Sequence, residues 1–169
     1  MSDYPSVYVE TSVISYLTSR PSRDIITLAN QQITEQWWEQ CAPHFRLFVS
    51  AIVEVEAGGG DPVAAVRRMA IVNTLPYLAI TDEVEVLSLQ LLKLLQLPAR
   101  AERDALHIAC ASVHRADYLL TWNMKHIANA ASRTHIEKLL GSLGCAVPVI
   151  CTPFELLSTT ESRNNDDTF

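Results

Sequence analysis

The chain has 169 residues, 49% of them hydrophobic and only 19% charged, with a net charge of −6 and a mean hydropathy of +0.12. That length and balance fit one compact domain with a buried core and exclude a disordered chain. The acidic balance excludes a sequence-independent nucleic-acid coat, which needs clustered Lys and Arg, but not an enzyme that holds nucleic acid through a metal.

No apolar run approaches the roughly 20 residues that span a bilayer, and "MSDYPS" lacks the basic and apolar regions of a signal peptide, so no membrane association and a cytoplasmic location are expected. Cys41, Cys110, Cys145 and Cys151 form no C-x-x-C pair, which predicts reduced thiols rather than disulfides or a zinc knuckle. His107 and Cys110 are three apart on a predicted helix, a spacing that allows a shared metal, but no second pair accompanies them.

In chain order, the first apolar run is Ser6 to Val9, followed by Glu10, Thr11 and Ser12. From Arg23 to Cys41 a helical face is expected from Ile25, Ile26, Ala29, Ile33, Trp37 and Cys41, with Trp38 beside it. The Trp37 and Trp38 segment suits the core or a dimer face. Phe45 to Val49 reads as a second strand. Glu54 and Glu56 follow it and point in different directions on a helix, so only one can face a cleft. Gly58, Gly59 and Gly60 break the chain before Asp61-Pro62, an N-cap and first-turn proline that open a helix running to about Asn73.

Tyr77 to Ile80 is a weaker strand. Thr81 and Asp82 open a helix whose apolar side is Val84, Leu87, Leu91 and Leu94 or Leu95, closed by Pro98. Another helix is predicted from Ala101 to Arg115, then strands at Tyr118 to Thr121 and Val147 to Cys151. Strands separated by helices require right-handed crossovers. The expected fold class is therefore α/β, a doubly wound, three-layer α/β/α arrangement with a mainly parallel sheet of four to five strands. Residues 1–157 form a single domain in this reading, and residues 158–169 a polar, disordered tail.

Ligands of such sheets bind beyond the carboxyl ends of the strands, where helices change face. Glu10, Glu56, Asp104 and Asn123 all leave those ends or lie in adjoining first turns. Carboxylates meeting there are costly to desolvate without a cation, and oxygen donors of this kind suit Mg2+ or Mn2+. Each also has a plainer role: Glu10 as a helix cap, Asp104 as a complement to a helix dipole, Asn123 as a turn former. His107, His126 and Lys125 can contact phosphate or serve as surface groups, the latter being the simpler expectation. Ser12, Ser50 and Thr121 read as caps or turn formers, and no Ser-His-Asp arrangement is legible. "VET" offers one acid rather than a D-x-D pair, which weighs against a metal-dependent phosphatase.

Taken together, the strand-Glu-Thr-Ser start, Ser50 six residues before Glu56, "RDALHIACA" and "ADYLLTWNMKHIAN" resemble the PIN domain, the fold of VapC-type toxin ribonucleases. The resemblance covers about Val7 to Phe154. It implies metal ligands at Glu10, Asp104 and Glu56, an auxiliary ligand at Asn123, and Thr11, Ser12 and Thr121 in the same cleft. The implied activity is a Mg2+- or Mn2+-dependent endoribonuclease, with Arg103 and Lys125 holding the RNA backbone. The implied partners are RNA, a neutralising antitoxin and a second copy of the chain. Glu10 and Asn123 depart from the family, which usually has Asp at the first position and often at the second. A weakened fold that only binds nucleic acid or protein is the alternative. Glu10 carries its carboxylate one methylene further out, roughly 1.5 Å by bond length.

Overall fold

A computed structural model describes residues 4–157. The expected tail, residues 158–169, lies outside them. Five strands form one all-parallel sheet in the order β3-β2-β1-β4-β5, with β1 at Ser6–Val9, β2 at Arg46–Ser50, β3 at Tyr77–Leu78, β4 at Tyr118–Leu120 and β5 at Val149–Cys151. Helices cover both faces: α1 Thr11–Thr18, α2 Ile25–Gln40, α3 Ala51–Ala57, α4 Pro62–Val72, α5 Asp82–Leu94, α6 Glu102–Val113 and α7 Ala130–Ser142. This is the three-layer arrangement expected from the alternation of strands and helices.

Every residue of β1 is buried, as a continuous apolar run in the centre of a doubly covered sheet must be. The chain steps from β1 outward to β2 and β3, then returns to the other side of β1 for β4 and β5. The carboxyl end of β1 is thus the switch point. Val7 pairs with Leu47 on one side and Tyr118 on the other, which fixes the register of the three central strands.

Local chemistry sets the helix starts. Asp61 accepts from the Ala64 amide at 2.8 Å and Thr81 from the Val84 amide at 3.4 Å, the capping expected at both sites. Leu95 caps α5 and Gln96 takes a positive φ of 52°, so that helix ends before Pro98. The turn from α3 to α4 passes through Gly60 at φ 74°, and Arg68 donates from Nε to the Ala57 carbonyl at 2.8 Å, tying the end of α3 to α4.

The expected apolar face of α2 requires correction. Ile25 and Ile26 are 79% and 70% exposed and Ala29 is exposed, whereas Gln31, Thr34 and Trp37 are buried. The polar residues are inside because they are hydrogen-bonded there. Gln31 donates to the Arg20 carbonyl at 3.0 Å and accepts from the Ser22 amide at 2.9 Å, and Thr34 accepts from Trp122 Nε1 at 2.8 Å. Trp37 is a fully buried core residue, and Trp38 packs against the core. All four cysteines are free, and burial pushes the Cys110 and Cys151 thiols up to about 12. Among the described residues, no helix is long and apolar enough to cross a membrane.

Candidate metal centre

Glu10 leaves β1 at the switch point and caps α1, its Oε2 accepting from the Ser12 amide at 3.2 Å. The same oxygen accepts from the hydroxyls of Thr121, at 2.7 Å, and Ser12. The cap and the candidate ligand are one side chain. Ser12 Oγ also accepts from the Trp122 amide at 2.8 Å, so the residues following β1 and β4 are laced together beneath Glu10.

Glu56 sits in the last turn of α3 and turns inward, while Glu54 is exposed. Its Oε1 accepts from Thr11 Oγ1 at 3.1 Å and lies 2.6 Å from Nε2 of His107. Burial raises the Glu56 carboxyl, but the His107 hydrogen bond and charge, Thr11 and the nearby Arg103 guanidinium outweigh it and leave the value below the usual range. Arg103 is exposed beside this carboxylate, and Lys125 is exposed beyond β4.

The surface expectation for His107 is overturned: its ring is fully buried. Nδ1 lies 2.8 Å from Tyr8 Oη, which lies 2.7 Å from Ser50 Oγ, and Nε2 points at Glu56 with Glu10 Oε1 3.9 Å away. Both ring nitrogens are turned to these groups rather than shared with Cys110. Burial lowers the imidazole pKa, yet the Glu56 hydrogen bond and the charges of Glu10, Glu56 and Asp104 raise it overall. The spacing of three residues from Asp104 put His107 on the cleft side of α6. Tyr8, one residue before the end of β1, was hidden by its apolar neighbours.

Asp104 and Asn123 form an adjoining pair. Asn123 Nδ2 donates to Asp104 Oδ1 at 2.8 Å, and Asn123 Oδ1 accepts from the His126 amide at 3.1 Å. Burial raises the Asp104 carboxyl, His126 and His107 lower it, and Glu10 and Glu56 add to the rise, so the net shift is upward. These charges place Asp104 in the same electrostatic field as the other acids.

Ligand atoms of Glu10, Glu56 and His107 lie within 4.8 Å of one another. Donors around one six-coordinate ion at about 2.1 Å lie roughly 3–4.2 Å apart, so small side-chain movements would close this set on a divalent cation. Two carboxylates and an imidazole are a donor set that such an ion accepts.

The fold has counterparts among solved structures. VapC20 of Mycobacterium tuberculosis, a toxin that cleaves the sarcin–ricin loop, superposes with a TM-score of 0.53 at 19% identity, over 68% of this chain and 87% of that one. VapBC2 of Rickettsia felis, bound to a DNA fragment from its promoter, gives 0.54 at 13% identity, over 86% and 97%. This chain has the PIN fold of the VapC type. In sequence, no family model and no curated protein matches it. Within the PIN fold, the acids lie where the switch-point rule puts a ligand site.

Proposed function

We propose that the protein is a divalent-metal-dependent endoribonuclease that hydrolyses RNA phosphodiester bonds, and that it acts as the toxin of a toxin–antitoxin pair. The observation that carries this reading is the convergence of Glu10, Glu56 and His107 at the switch point of a PIN fold, within the electrostatic reach of Asp104. A bound Mg2+ or Mn2+ supplies a Lewis acid for the phosphoryl oxygens and lowers the pKa of the attacking water. Glu10 and Glu56 would hold the ion. Asp104, hydrogen-bonded to Asn123 Nδ2 at 2.8 Å, would complete the set or accept the water's proton. Thr11, Ser12 and Thr121 keep the carboxylates oriented, and Arg103 and Lys125 are the cations available at the rim for phosphates.

An antitoxin and a second copy of the chain are the proposed partners. The toxin–antitoxin part is supported by the two VapC-type neighbours.

Asp104→Asn is expected to lower metal-dependent cleavage of generic RNA by at least about 100-fold, read on gels with and without Mn2+. Cleavage at the parent rate would remove Asp104 from the mechanism. One observation favours a binding module instead: both ends of the Asn123 amide are committed to Asp104 and the His126 amide, so a metal would have to compete for it. Absence of calorimetric heat at millimolar Mn2+, together with no cleavage, would select the module.

A further inference from the structure

His107 is the least explained group at this site. A fully buried imidazole among carboxylates is expensive unless both nitrogens have partners, and here both do. The pattern of those partners is informative. Histidines that bind metals almost always present the other ring N–H to an oxygen, which fixes the tautomer and ring orientation. That partner already stands in place: Nδ1 meets Tyr8 Oη at 2.8 Å, and Tyr8 in turn meets Ser50 Oγ at 2.7 Å. Nε2–H donates to Glu56 Oε1 at 2.6 Å, with Glu10 Oε1 at 3.9 Å. A cation entering between these carboxylates would take the place of that proton, and with Nδ1–H donating to Tyr8 and Tyr8 donating to Ser50 the Nε2 lone pair would be turned to it.

The backbone supports the same orientation. Tyr8 lies on the central strand, Ser50 ends β2 and His107 is in the middle of α6, so all three anchors are on regular elements. Burial raises the Tyr8 phenol well above its ordinary value, which keeps it a neutral donor and acceptor beside the ring.

We propose that Nε2 of His107 is a direct ligand of the cation held by Glu10 and Glu56, giving a two-carboxylate, one-imidazole centre that prefers Mn2+ to Mg2+. The inference rests on the metal-dependent reading of the site. Its physical basis is donor softness: Mg2+ favours oxygen donors in a strict octahedron, while an imidazole nitrogen shifts preference toward first-row transition ions. The Tyr8 and Ser50 hydroxyls then serve as positioning groups for the ring.

The test uses the full chain with 15N-labelled histidine and Mn2+ alone. Electron spin-echo modulation should show a directly bound 15N nucleus, absent in His107→Gln. Calorimetry should show wild-type protein binding Mn2+ more tightly than Mg2+. His107→Gln should weaken Mn2+ by about 10- to 100-fold and Mg2+ by clearly less. Should that variant fail to fold, Tyr8→Phe keeps the ring and is expected to weaken Mn2+ about tenfold while the nitrogen coupling persists. Bound Mn2+ with no nitrogen coupling in the wild type would overturn His107 ligation and leave the metal-dependent reading standing. No Mn2+ binding at millimolar concentration would overturn both.

Discussion

Glu10 divides its work between its two oxygens. Oε2 is spent on the protein, taking the Ser12 amide and the Ser12 and Thr121 hydroxyls, while Oε1 faces His107 and the site. The extra methylene relative to aspartate lets one carboxylate span both tasks. Thr121, fully buried, is the pivot: its Oγ1 donates to Glu10 at 2.7 Å and accepts from the Asn123 amide at 2.9 Å. Thr121→Val keeps the shape and removes both bonds. It is expected to cost about 1–3 kcal/mol of stability by removing the partner of the half-buried Asn123 amide and leaving Ser12 as the sole remaining donor to Glu10 Oε2, measured by urea unfolding, and to weaken Mn2+ binding measured calorimetrically. Unchanged stability and affinity would show that Ser12 alone orients Glu10.

At the scale of elements, α2 is where sequence periodicity misled. Its isoleucines at the amino end looked like a core face, yet the buried positions include the polar anchors Gln31 and Thr34, whose partners lie in the loop before α2 and in the distant segment after β4. Such pairings are invisible to a pattern that scores only apolarity. The Thr34 to Trp122 bond links α2 to the segment after β4 that also carries Asn123. Thr34→Val should cost about 1–3 kcal/mol in urea unfolding and alter the emission of Trp122; a variant with parent stability and spectrum would make that bond incidental. By contrast, the starts of α4 and α5 were legible, because Asp61-Pro62 and Thr81 act through their own amides a few residues on. On α6 the acid Asp104 was legible and His107 was not. Its neighbours Ala105, Ile108, Ala109 and Cys110 are all buried, so it stands in a run of small and apolar residues where an exposed side chain has no room.

Across the whole molecule, alternating strands and helices were enough to predict a parallel sheet, but strand order was not readable, since nothing local says that β4 returns beside β1. Part of that return is held by a latch at the amino ends of the strands, opposite the site. Asp117 Oδ2 accepts from the amide and the hydroxyl of Ser6, each at 2.7 Å, and the Asp117 amide donates back to Ser6 Oγ at 3.0 Å. The two Ser6 bonds hold the Asp117 carboxyl below its usual range, with Arg46 adding to the effect. A folded pKa below the unfolded one, about 3.9, stabilises the protein above that value and loses its contribution as pH falls through the folded pKa. Comparing wild type with Asp117→Asn cancels the other carboxylates. The wild-type advantage in urea unfolding should therefore be constant from about pH 7 to pH 5 and shrink below about pH 4. An advantage that stays level or grows on acidification would show that the latch does not depend on the ionised carboxylate, and that the return of β4 to β1 rests on strand pairing and core packing.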